Sequence, residues 1–160
     1  TANASATIAK RSYTAFAAEI RERPDFYREQ WLSICCEIYG VAVNAASEAW
    51  LIVGAPGVKR HIGFVSVGGE LFGTIGNGTK ETRTARLSEG KESSLIAHHV
   101  PGKYTEFWVG FGGYAKLTTD LPVGYESASA DRAILYASIK TTNTTAKELR
   151  LANWRWRQEL

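Results

Sequence analysis

Leu32, Ile34, Cys36 and Ile38 fall on one side of a period-two pattern, and Trp31, Ser33, Cys35, Glu37 and Tyr39 fall on the other. Such alternation puts successive side chains on opposite faces of a strand. Residues 31–39 therefore read as a half-buried strand, closed by Gly40. The same reasoning gives strands over 50–53, 61–67 and 70–75, the last two joined by a Gly68-Gly69 hairpin turn. Residues 79–87 alternate polar side chains with Thr and Ala and predict an exposed strand. Further strands are expected over 94–100, 104–111, 114–119, 134–141 and 149–158. Residues 13–23 alternate too, with Phe16, Ala18 and Ile20 toward a core, but their Ala, Glu and Arg content also suits a helix. Pro24 ends either element.

The result is about ten short strands, separated by Gly- or Pro-bearing turns at roughly 8–12-residue spacing, the pattern of an antiparallel sandwich or barrel. The chain has 160 residues, 44% of them hydrophobic, enough for one domain with its own core. Residues 1–10 are small and polar and read as an extended N-terminal arm, with the sandwich domain over 11–160. Thr7, Ile8 and Lys10 of that arm are the candidate contacts to a neighbouring subunit. Thr1 fits removal of either an initiator Met or a leader peptide.

Charge narrows the partners. Nineteen basic residues against 16 acidic ones give +3, with no block of like charge. That balance describes an ordinary solvated surface and argues against nucleic acid. No apolar run is long enough for a membrane-spanning helix. Cys35 and Cys36 are adjacent, which strains a mutual bridge, so both read as small buried hydrophobes.

Four stretches carry a resemblance to a known family: residues 61–78 (HIGFVSVGGELFGTIGNG), 102–122 (GKYTEFWVGFGGYAKLTTDLP), 130–149 (ADRAILYASIKTTNTTAKEL) and the terminal RLANWRWRQEL. In this order they resemble the concanavalin A-like (lectin/glucanase) jelly-roll sandwich, in the form found in tailed-phage virion proteins. The resemblance covers residues 50–160. The acidic residue and Gly usual at the turn of the second stretch are replaced by Gly110-Phe111-Gly112-Gly113. The resemblance implies an all-β, antiparallel jelly-roll β-sandwich. It also implies a virion component, such as a capsid decoration, spike or fibre, that meets the major capsid protein or itself. A homo-oligomer is expected, with a trimer favoured. The lectin-like alternative is carbohydrate recognition, with a host surface glycan as the ligand.

Chemistry is weighed against this. Relatives that hydrolyse glycans carry carboxylates spaced E-x-D-x-x-E or E-x-x-E, which aims both groups into one cleft. No E-x-D-x-x-E occurs, and Glu81, Glu89 and Glu92 lie in charged, turn-like contexts. His61, His98 and His99 lack the spacing of a zinc or triad set and read as surface or satisfied core groups. No catalytic residue, metal site or cofactor is therefore assigned, and the chain is read as a non-enzyme. The aromatics remain. Alternation places Trp154 and Trp156 inward, with Arg155 and Arg157 outward. Trp108 points opposite to Phe107 and Val109, and with Tyr114 on the returning strand it is the candidate glycan or partner contact.

Overall fold

The structure, a computed structural model, describes residues 4–10, 24–39, 48–88, 94–110, 112–125, 135–141 and 148–159. These form eleven strands and no helix: β1 (Ala4–Lys10), β2 (Gln30–Tyr39), β3 (Glu48–Gly54), β4 (His61–Val67), β5 (Glu70–Gly76), β6 (Glu81–Arg83), β7 (Ser94–Val100), β8 (Tyr104–Val109), β9 (Gly113–Leu117), β10 (Leu135–Thr141) and β11 (Glu148–Gln158). All pairings are antiparallel. One sheet has the order β1-β10-β3-β4-β5-β6 and the other β11-β2-β7-β8-β9. The chain alternates between the sheets, so strands distant in sequence become neighbours. This is an antiparallel jelly-roll β-sandwich: the alternation predicted a sandwich or barrel, and the resemblance the jelly roll.

The core lies between the sheets. Leu51, Val53, Ile62, Phe64, Leu71 and Ile75 line it from the six-stranded sheet, facing Leu32, Ile34, Leu95, Ala97, Phe107 and Val109 from the other. Phe107 meets Phe64 edge to face, with ring centroids 5.6 Å apart. Across from it stands Gly73, where an added Cβ would sit 2.5 Å from the Phe107 ring. Trp156 is buried in the core, and Trp154 packs against it, as the alternation in the final strand predicted.

A polar chain ties the strand ends together. Trp156 Nε1 donates to Gln30 Oε1 (3.1 Å), Gln30 Nε2 to the Asp25 carbonyl (2.7 Å), and the Asp25 amide to Gln158 Oε1 (2.8 Å). Buried polar groups are tolerated when answered in this way. The β4–β5 hairpin turns at Gly68 and Gly69, both with positive φ (59° and 85°), which suits the primed turn and explains the two glycines.

Several expectations change. Residues 79–87 form a strand only over Glu81–Arg83. Beyond it the Thr84 amide bonds to the Gly73 carbonyl and the Leu87 amide to the Leu71 carbonyl, outside any regular strand. Strand β8 ends at Val109, because Gly110 turns the chain. Cys36 is buried but Cys35 is exposed, since adjacent strand residues face opposite ways. Ala4–Lys10, expected as an arm, runs along β10 as the edge strand of the six-stranded sheet. The expectations for residues 13–23, Phe111 and Ile134 lie outside the described residues.

The close approach of Gly73 to Phe107 yields a test. Gly73→Ala overpacks the contact and is expected to lower stability by about 1–3 kcal/mol, read as a lower urea midpoint at unchanged slope. An unchanged midpoint would show that the ring has room to move.

Candidate functional site

The outward side chains of the five-stranded sheet form a continuous aromatic and charged surface. Because paired residues on neighbouring strands share a face, the register defines it. His98 on β7 lies between Trp31 on β2 and Glu106 on β8, and Glu106 pairs with Lys116 on β9. One row over, Trp108 pairs directly with Tyr114. The two residues singled out from sequence are therefore brought together, with ring centroids 5.6 Å apart and planes tilted by 45°. Tyr114 is 51% exposed.

Trp31 extends this surface. It stacks on His98 at 3.7 Å with planes 12° apart, and its ring runs nearly parallel to Trp108, with centroids 6.3 Å apart. Tyr104 meets His98 edge-on at 6.0 Å. The Lys116 ammonium sits 3.9 Å from the Tyr104 ring centre, a cation–π contact.

Carboxylates hold these rings in place. His98 Nε2 donates to Glu29 (2.6 Å), and Nδ1 stands 3.7 Å from Glu106. Glu106 also accepts from the Tyr114 hydroxyl (2.8 Å) and pairs with Lys116 at 3.6 Å. The hydrogen bond to Glu106 raises the Tyr114 pKa above that of an ordinary phenol, so the hydroxyl keeps its proton and stays a donor. Chemically the face offers flat apolar rings edged by hydroxyl, carboxylate and ammonium groups.

Aromatic residues also lie outside this sheet face. On the outer face of the six-stranded sheet, Trp50, Ile52 and Val65 form a second buried cluster with Val67, Phe72 and Tyr136 packed against it. Trp50 is only 7% exposed. His61 meets its edge at 5.6 Å and the Arg83 guanidinium lies 5.6 Å from its ring centre. Tyr27 and Tyr125 form an exposed pair on loops, with centroids 6.1 Å apart.

The three histidines divide. His98 and His99 face opposite ways, as adjacent strand positions must. His99 is a core group: Nε2 donates to the Phe26 carbonyl (3.2 Å) and Nδ1 accepts from the Thr105 hydroxyl (2.9 Å). His61 Nδ1 donates to the Ala55 and Lys59 carbonyls, both at 3.0 Å, and Nε2 accepts from Thr74. Burial lowers both to about 4. Among the described residues no group of three or more His, Cys, Asp or Glu is placed to hold a metal ion.

Thr7, Ile8 and Lys10 pair with Ser138, Ala137 and Leu135 of their own chain. Sequence reasoning missed Trp31 and His98 as members of the site. The usable signal was that Trp31 shares the outward set of its strand with Ser33 and Cys35; which strands lie beside β2 was not readable.

No family model matches the chain, and no curated protein matches it. Among solved structures it is similar to HCR/D-Sa-GBL1/C, with TM-score 0.52 and 6% identity over 95% of this chain and 36% of that one. It is similar to the binding domain of botulinum neurotoxin DC in complex with SialylT, with TM-score 0.50 and 7% identity over 95% of this chain and 35% of that one. It also matches chicken galectin 2, with TM-score 0.47 and 12% identity over 87% and 95% of the two chains. The chain thus spans about a third of the length of the first two. At these identities the likeness is one of fold.

Histidine burial makes stability depend on pH. His61 and His99 titrate at about 4 in the fold, against 6.5 for the free group. Between those values the unfolded chain binds more protons, so stability falls as pH drops from 6.5 toward 4 and this contribution levels off below. Urea unfolding from pH 7 to 4 is expected to show that fall, with a shallower slope in His99→Gln. An equal slope in that variant would contradict the assignment.

Proposed function

We propose that this chain is a carbohydrate-binding module, without catalysis, and that it binds through the outer face of the five-stranded sheet. The observation that carries this reading is the half-buried Trp108 ring packed against the exposed Tyr114, edged by Glu106 and Lys116. A sugar ring has an apolar C–H face and a rim of hydroxyls. Aromatic side chains accept the first, and charged or hydroxyl groups at the ring edge answer the second. The rings are held by neighbours, so little side-chain freedom is lost on binding. The solved structures of similar fold include a binding domain in complex with SialylT, which supports a binding role for this architecture.

A second reading, a virion component that assembles as an oligomer, is supported by the sequence resemblance and by the position of β1 at a sheet edge, where a strand from another subunit would pair. Under it, the aromatic face would meet a host glycan. Sedimentation of the purified chain tests the assembly: an oligomer is expected, and a monomer at all concentrations would remove this reading.

For the carbohydrate reading, a glycan array followed by calorimetry on the hits is the test. Trp108→Ala is expected to weaken binding about thirtyfold or more, the loss typical of a central aromatic anchor. Because Trp108 lies outside the core, its urea midpoint should stay close to that of the parent. An array with no signal, or full binding by Trp108→Ala, would sink the proposal.

A further inference from the structure

Trp108 belongs to a row that crosses the whole five-stranded sheet. Arg155, Ser33, Ile96, Trp108 and Tyr114 are successive cross-strand partners on one face. Arg155 lies three strand spacings from Trp108, roughly 14 Å. Between them the row holds only Ser33 and Ile96, and the adjacent row holds Cys35 and Ser94. The Trp31 and Trp108 rings stand beside this shallow floor.

Charge on the face is distributed unevenly. Around Trp108 every charge is answered: Glu29 by His98, Glu106 by Tyr114 and Lys116, and Lys116 by Glu106 and the Tyr104 ring. Arg157 pairs with Glu159 at 3.1 Å. Arg155 is exposed, and no carboxylate among the described residues pairs with it. The ring end of the row is therefore electrically settled, while its far end carries a guanidinium with no carboxylate partner among the described residues. Such a group favours an oxyanion that can take two hydrogen bonds side by side.

From this we infer that the ligand is an acidic oligosaccharide lying across the strands, with one sugar on Trp108 and Tyr114 and a carboxylate or sulfate on Arg155. The inference rests on the carbohydrate reading and names the ligand class for the same face. A single sugar ring cannot span the distance; a short oligosaccharide crosses the low floor of Ser33 and Ile96.

Calorimetry with matched trisaccharides tests it, using a common neutral core that ends in a neutral hexose, a uronate, a sialate or a sulfated hexose. At least one acidic member is expected to bind about tenfold tighter than the neutral one, a gap that narrows at high salt. Arg155→Ala should erase the gap and leave neutral binding unchanged, and Arg155→Lys should keep part of it. Equal affinity across the set, or a gap that survives Arg155→Ala, overturns the inference while the carbohydrate reading stands. Binding of none of these sugars, nor of any on the array, removes both.

Discussion

Phe107 leaves β8, crosses the core and rests between the Phe64 ring and the bare backbone of Gly73. That contact joins the two sheets closely, and much of the molecule follows from it. A ring of this size seats at one position along the facing sheet, because interiors are close-packed and tolerate little slippage. The position of Phe107 fixes the register of β8. With the register fixed, its neighbours Glu106 and Trp108 have only the outer face available. The core contact and the outer aromatic surface are therefore two sides of one alternation.

The outer face is organised by electrostatics of a modest kind. Ion pairs at a solvated surface contribute little to stability, and nothing about the Glu106 contacts requires more. Their effect is orientation. Glu106 accepts from Tyr114, draws in Lys116 and stands near His98, so three strands share one carboxylate. Lys116 is thereby kept on the Tyr104 ring, and Trp31 lies on His98. Flexible side chains become a surface with few remaining conformations, which is the condition for recognising a ligand without a large entropic cost.

The periodicity of the chain made the sandwich legible, since alternation needs only neighbours in sequence. Trp154 and Trp156 against Arg155 and Arg157 is the clearest case: two faces, two chemistries, and a buried ring at Trp156. Gly68-Gly69 was equally readable, because few other residues suit that turn. Legibility ended where pairing became non-local. Trp31 and Trp108 are far apart in sequence, and only the order β2-β7-β8 brings them together with His98 between. Residues 79–87 failed for a different reason. Their polar alternation is compatible with pairing, but Ser88 and Leu87 return to Leu71 and leave only Glu81–Arg83 regular. Cys35 is exposed, not buried beside Cys36, because a strand gives adjacent residues two environments.

Strand β11 holds one irregularity. Leu151 pairs with Cys36 and Asn153 with Cys35, so a single residue is left over between them. Bulges of this type change the phase of a strand. Before it, odd-numbered positions pair with the inward set of β2; after it, even-numbered positions do. Sequence change is thus graded along this chain in a way that composition does not show. A one-residue length change within a regular stretch of strand exchanges its two faces from that point on. Losing the extra residue at the β11 bulge instead restores unbroken alternation, with Trp154 and Trp156 still inward and Arg155 and Arg157 still outward. A gap placed there in an alignment of homologues therefore describes a protein with the same surface, while one placed elsewhere in β11 does not.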